Sequence, residues 1–267
     1  MAKSVIQSMV VIITGILFVG IVQAGTDDGN LKEVGIEFIQ IYSPIAGNLV
    51  SCPSDARGFY NALGLIGWAK KFEREDNAAC EKHFKFQSLG GVDYQWIDDI
   101  DFAFFCGHGQ REGNEAWILF TSACDDQWLK NKEVVWGDKD LEWITLDACS
   151  VLNNGDGKVF QRWGRTWSGS PTNVFSGLHM IQGFDTIIND HPDRGKLFVE
   201  HMKKGKTIKQ SWFDACDDTV DYSGSRRAVA MYACDAYDDH LPGYGSISND
   251  NNYPNCLEWT PYYCYKK

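Results

Sequence analysis

The chain has 267 residues, a formal net charge of −11 and 44% hydrophobic residues, including ten Trp, 11 Tyr and 15 Phe. An acidic balance of this size argues against nucleic acid or an anionic membrane as partner, because both need a basic face. It is compatible with basic peptide substrates.

Residues 1–24 read as a secretory signal peptide: Lys3 gives the positive start, "MVVIITGILFVGIV" the apolar centre and Val22-Gln23-Ala24 a small-residue cleavage site. Nothing downstream is apolar enough to cross a bilayer, so no stable membrane insertion is expected after cleavage, and the expected location is secreted or extracytoplasmic. The remaining chain, 25–267, is about 240 residues, long enough for one domain with a large core.

After a polar lead-in, "VGIEFIQIYS" (34–43) reads as a strand rich in Val, Ile and Phe. Phe59, Ala62, Leu63, Ile66 and Ala69 recur at helical spacing and predict a helix over 56–74, capped by Ser54 or Asp55. "HFKFQSL" (83–89) alternates as a short strand, and "AWILFTS" (116–122) suits a hairpin. "IDFAFFCG" (100–107) and "LEWITLDA" (141–148) are nearly continuous apolar runs, the mark of strands buried on both faces. "GLHMIQGF" (177–184) is a further strand, and 195–216 is helical with a break at Gly205. "RAVAMYAC" (227–234) is the last strand, and 235–267 reads as an irregular, disulfide-prone tail. Strands alternating with helices define an α/β fold with a mainly parallel sheet flanked by helices on both faces, in a single domain.

Nine cysteines in an exported chain predict disulfides and leave at least one free thiol. If four bridges form, the free one is expected to be Cys149, since a nucleophilic thiolate must stay unpaired. Cys106 is the next candidate for a free thiol, and a bridge from it to Cys149 would silence that residue. Cys256 with Cys264 is the first pairing expected by proximity, and Cys52 with Cys80, flanking the first helix, the second.

Functional residues in open parallel sheets gather at the carboxyl ends of strands. Here two apolar runs end in short chemical motifs: "FAFFCGHGQ" (102–110) in Gly107-His108-Gly109, and "LEWITLDACS" (141–150) in Asp147-Ala148-Cys149. If the two strands are neighbours, imidazole and thiol meet. His108 would take the proton from Cys149 and return it to a leaving amine. The backbone N–H groups of Gly109 and Cys149 would form an oxyanion hole, and the flanking glycines would free the backbone and leave room for substrate.

These two blocks resemble the signature blocks of the caspase-like cysteine peptidases, which include caspases, metacaspases, legumains, gingipains and clostripain. "WGDKDLEWITLDACSVL", with "GLHMIQGF" after it, is more similar still to a prokaryotic branch of caspase-like domains of unknown function. The resemblance spans most of 34–234. It implies a caspase-hemoglobinase-like fold, His108 as general base, Cys149 as nucleophile and a polypeptide substrate. Many relatives carry a glycine two residues after the nucleophile, where this chain has Val151.

Asp147 has two readings: a brace for the loop through local hydrogen bonds, or, as its motif position implies by resemblance to metacaspases, part of a pocket for Arg or Lys. Asp185 is a second candidate for that pocket. His179 reads as a core histidine, and His83, His191, His201 and His240 as surface residues. No organic cofactor and no metal are expected. The oxygen-rich "NNGDG" (153–157) and "SNDNN" (248–252) read as solvated turns, with calcium as a minor option by resemblance to some metacaspases. The expected function is an exported cysteine endopeptidase cleaving after basic residues. The alternative is an inactive secreted binding domain on the same fold.

Overall fold

The structure, a computed structural model, describes residues 29–30, 32–121, 124–164, 174–251 and 254–267. The signal-peptide segment therefore lies outside the described residues. In chain order the elements are β1 (Glu33–Phe38), α1 (Cys52–Gly64), β2 (Ala69–Glu75), β3 (Phe102–Cys106), β4 (Gly109–Glu112), β5 (Glu115–Leu119), β6 (Trp128–Lys130), β7 (Trp143–Asp147), α2 (Val159–Trp163), β8 (Met180–Phe184), α3 (Arg194–Met202), α4 (Ile208–Thr219), β9 (Arg227–Ala233) and β10 (Leu257–Tyr263). Short 3₁₀ turns fill several connections.

One sheet organises the molecule, in the order β10-β9-β8-β7-β3-β1-β2. Strands β2, β1, β3, β7 and β8 run parallel, β9 runs antiparallel to β8, and β10 runs antiparallel to β9. The α/β architecture with a mainly parallel sheet is the one expected. A second sheet, β4-β5-β6, is the hairpin region expected near 116–122.

The apolar runs behave as two-faced strands. Along β3, Phe102, Phe104 and Cys106 enter one core with Phe59 of α1, Phe198 of α3 and Trp212 of α4. Ala103 and Phe105 enter the other, with Phe84, Trp136 and Trp163 of α2. The flanking layers are unequal: three longer helices cover the first face, while α2, 3₁₀ turns and the small sheet cover the second.

Three expectations need correction. The helix predicted over 56–74 ends at Gly64, and 69–75 is the strand β2. Gly67, with φ +92°, turns the chain in a conformation that favours glycine, and only Phe72 of β2 is buried, as suits an edge strand whose helical-looking spacing carries no core face. The helix also starts earlier, with Ser51 as N-cap and Pro53 in the first turn. The strand predicted over 83–89 is instead two 3₁₀ turns, Glu81–His83 and Gln87–Leu89, which deliver Phe84 into the core beside Phe105 and Phe120. The tail expected to be irregular contains β10, paired along its whole length with β9.

The bridges are Cys52–Cys106, Cys80–Cys124, Cys216–Cys264 and Cys234–Cys256. Both expected pairings are wrong. Cys256 and Cys264 lie just outside opposite ends of β10, and an extended strand holds its ends far apart. Cys52 reaches the end of β3 instead of Cys80, so Cys106 is not a free thiol. Cys149 is the one free cysteine among the nine, as expected.

Candidate active site

Strands β3 and β7 are neighbours, in register from Phe102↔Trp143 to Cys106↔Asp147. His108 and Cys149 each follow two residues after that last pair, so adjacent strand ends bring them to one height. Both line a cavity of about 190 Å³, with Leu49, Ile187, Ile188 and the Cys52–Cys106 bridge among its walls.

The glycines around His108 serve space rather than dihedral freedom. Neither has a positive φ. A Cβ on Gly107 would stand 2.5 Å from the Phe105 ring and 2.6 Å from Tyr42 Oη. One on Gly109 would stand 2.6 Å from Val151 Cγ1 and 3.0 Å from Cys149 O. Gly109 lets the two strand ends close on each other, and Gly107 leaves room for Phe105 and Tyr42.

His108 is held at three points. Its backbone N–H donates to Tyr42 Oη at 2.9 Å, its ring packs on the Tyr42 ring at 4.5 Å between centroids, and Nε2 lies 2.7 Å from Gly47 O. Tyr42 in turn donates its hydroxyl to Leu119 O at 2.9 Å. A carbonyl only accepts, so Nε2 is the donor here and Nδ1 is left as the acceptor nitrogen of a neutral ring. Neither Tyr42 nor Gly47 was identified from sequence; a backbone carbonyl leaves no residue-type signal.

Cys149 is half-buried. Its Sγ accepts the Ile188 N–H at 3.4 Å and donates to Ile188 O at 3.7 Å. Burial first, and the Asp147 charge next, push its thiol above the ordinary value of 9.0. At neutral pH it is a thiol that needs a base to become a nucleophile.

The loop after Cys149 is built around Ser150 and Val151. Ser150, at φ +56°, turns the chain and donates its N–H to Thr186 O at 3.0 Å. Val151 is fully buried, and its carbonyl accepts the Trp163 indole N–H at 2.9 Å.

Asp147 lines the cavity, yet its carboxylate is already engaged: Arg194 Nη1 donates to Oδ1 at 2.8 Å and to Oδ2 at 2.7 Å. The cationic partner expected for Asp147 from a basic substrate side chain is thus supplied within the chain by Arg194. Asp185 lies away from this cavity, its carboxylate accepting Asn154 N–H at 2.9 Å and pairing with Arg227. Arg194, which lines the cavity, and Asp55, buried behind it, gave no motif signal, because one lies on a helix 45 residues beyond Cys149 and the other in a helix turn.

Among the described residues, the clusters within metal-ligating distance are Cys52/Cys106/Asp190 and Asp55/Cys106/Asp147. Each contains a sulfur already spent in the Cys52–Cys106 bridge, so neither donor set suits a cation. In the 153–157 stretch, Asp156 is paired with Arg111 at 2.8 Å and Arg162 at 2.9 Å. In the 248–252 stretch Asp250 pairs with His179, and Asn252 lies outside the described residues.

His179 is buried, as expected, with Nδ1 2.6 Å from Asp239 and Nε2 3.2 Å from Asp250. His201, expected at the surface, is buried and 2.6 Å from Asp218. His83, also expected there, stacks on Trp96 at 4.2 Å and pairs with the buried Glu37 at 2.5 Å.

Fold and site together define an α/β domain with a histidine and a free cysteine at the ends of adjacent parallel strands. The chain belongs to the family described as "Domain of unknown function (DUF6345)", which matches residues 36–262. No curated protein matches. Among solved structures, the chain is similar to gingipain R, an Arg-specific cysteine proteinase (17% identity, TM-score 0.41, 72% of this chain and 42% of that one). It is also similar to the complex of pro- and mature gingipain domains from Porphyromonas gingivalis (14%, TM-score 0.39, 72% and 44%) and to caspase-1 from Spodoptera frugiperda (12%, TM-score 0.42, 89% and 88%). It spans less than half the length of the two gingipain chains. No helix among the described residues is long and apolar enough to cross a membrane.

Proposed function

We propose that this domain is a cysteine-type endopeptidase acting outside the cytoplasm. The observation that carries the reading is the pairing of strand ends: His108 and Cys149 follow the same register pair and line one cavity. His108 Nδ1 takes the thiol proton as Sγ attacks the scissile carbonyl. The proton then passes to the leaving amine, and the acyl group stays on Sγ as a thioester. Water, deprotonated by the same imidazole, attacks the thioester; the acid leaves and the thiol regains its proton. Backbone N–H groups of Gly109 and Cys149 stabilise the oxyanion. No cofactor takes part. Four bridges support an oxidising location.

The test is cleavage of a mixed peptide library by the full chain, with Cys149→Ala as control. Peptide products that vanish with Cys149→Ala support the reading; equal products from both proteins, or none from either, reject it.

A binding domain is the second reading, favoured by one observation: the Ile188 backbone already occupies Sγ from both sides, N–H and carbonyl. In that case substrate-derived probes do not reach the thiol.

A further inference from the structure

Asp147 and Arg194 form the floor of the cavity beside Cys149, and Asp55 is buried behind them. Asp55, in the first turn of α1, and Asp147, at the end of β7, bring carboxyl oxygens within 4.8 Å of each other. Two carboxylates this close do not both ionise in a buried site without a cation between them. The chain supplies its own. Arg194, the first residue of α3 and 1% exposed, gives Nη1 to both Asp147 oxygens, Nε to Thr219 Oγ1 at 3.0 Å and Nη2 to Asn189 O at 2.9 Å. Asp55 is fixed from the far side, Oδ1 accepting the Gly195 N–H at 2.6 Å. Its burial first, then the adjacent Asp147, push its carboxyl well above the usual carboxylate range.

At the floor, the Arg194 guanidinium and the Asp147 carboxyl group are thus already paired with each other. Above it the walls are Leu49, Ile187, Ile188 and the Cys52–Cys106 bridge. One more carboxylate borders the cavity, that of Asp190. It is exposed, and its Oδ2 takes the Ser51 N–H at 2.8 Å, so water and a fixed donor screen it. Burial first, and Arg194 next, lower the pKa of His191, which leaves that ring uncharged at neutral pH.

We propose that this cavity receives a neutral, apolar side chain of a peptide substrate, and that Arg194 is the specificity-determining residue, because it occupies the acidic pair that a basic side chain would need. The proposal rests on the reading of Cys149 as the nucleophile. A basic guest meets a guanidinium at the floor and finds its counter-charge taken. An acidic guest meets Asp147 and must shed its water against apolar walls. A side chain of Leu or Met size loses no hydrogen bond there and covers apolar surface.

The experiment labels the full chain with peptidyl acyloxymethyl ketones that differ only in the residue next to the warhead: Leu, Met, Arg or Asp. Rates at Cys149 are divided by the iodoacetamide rate to correct for thiol reactivity. The Leu and Met probes are expected to react roughly tenfold or more faster than the Arg and Asp probes. Arg194→Gln, checked by circular dichroism to be folded, is expected to raise the Arg probe relative to Leu by a similar factor.

An Arg or Asp probe as fast as Leu in the wild type overturns the proposal, and so does a folded R194Q protein whose Arg/Leu ratio is unchanged. If R194Q does not fold, the wild-type panel decides. The two layers separate cleanly. Apolar-first labelling without any peptide hydrolysis sinks the peptidase reading alone, whereas hydrolysis after Arg or Lys sinks this proposal alone. Iodoacetamide labelling with no reaction from any peptide probe sinks both.

Discussion

Cys106 and Asp147 are Cα partners across β3 and β7, and that single pairing sets His108 and Cys149 level with each other. The contact between the two strand ends is so close that Gly109 has no space for a methyl group: Val151, Ala148 and Cys149 O all stand within 3.0 Å of where its Cβ would be. Gly109→Ala is expected to lower stability by about 1–3 kcal/mol, the range for overpacking a tight site. Val151→Ala in the same chain should restore part of it. Urea unfolding of the three proteins checks this, and a neutral Gly109→Ala would contradict the packing described.

His108→Gln removes the base and leaves the thiol in place. Turnover of any cleaved peptide is expected to fall by about 10²–10⁴-fold. Iodoacetamide should still reach Cys149, but the rate should climb with pH only in the alkaline range, because burial holds this thiol above its ordinary value of 9.0. Labelling rates measured as a function of pH for wild type and variant give the answer.

Asp147→Asn leaves Arg194 buried with half a partner. Breaking a buried pair from one side typically costs about 3–5 kcal/mol. The expected outcome is a loss of global stability of that size, read from denaturant midpoints, rather than a selective loss of basic substrates. A variant of wild-type stability that loses only basic substrates would restore Asp147 as a substrate-facing carboxylate.

His179 predicts a pH dependence. Burial alone would lower its pKa, but the Asp239 and Asp250 carboxylates raise it to about 9 against an ordinary 6.5. The folded state then binds a proton that the unfolded chain releases between those values. Its contribution to stability is complete below about pH 6.5 and is lost as pH rises through about 9. Unfolding free energy should fall over this window by on the order of 3 kcal/mol, and His179→Gln should flatten the slope. A wild-type profile that is flat from pH 6 to 9 would argue against a charged His179.

Peptide mapping without reduction should return Cys52–Cys106, Cys80–Cys124, Cys216–Cys264 and Cys234–Cys256, with Cys149 alkylated. Replacing Cys216 and Cys264 together by Ser should cost about 2–5 kcal/mol.

The parallel sheet could be read from the chain because β3 and β7 are mostly apolar and buried on every residue, and both motifs sit where such strands stop. The free thiol followed from an odd count. What escaped was long-range. No local pattern tells that Cys106 meets Cys52 rather than a neighbour in sequence, or that Arg194 reaches back to Asp147. Gly47 contributes only a carbonyl, which every residue has. β2 misled because Ala69 continues the helical spacing of Phe59, Ala62, Leu63 and Ile66, while the turn at Gly67 decides otherwise. β10 looked like a tail because its Pro, Tyr and Thr carry no alternation of buried and exposed positions strong enough to announce a strand.

The two outermost strands bear on how the molecule meets other chains. On one border, β2 shows Lys70, Lys71, Glu73, Arg74 and Glu75, so a strand laid alongside would bring charges of both signs against its own and strip their water. On the other, Pro261 interrupts β10 with a residue that has no N–H to offer. Neither border is a template for a further strand. The seven-stranded sheet is therefore sealed against growth by addition at both borders.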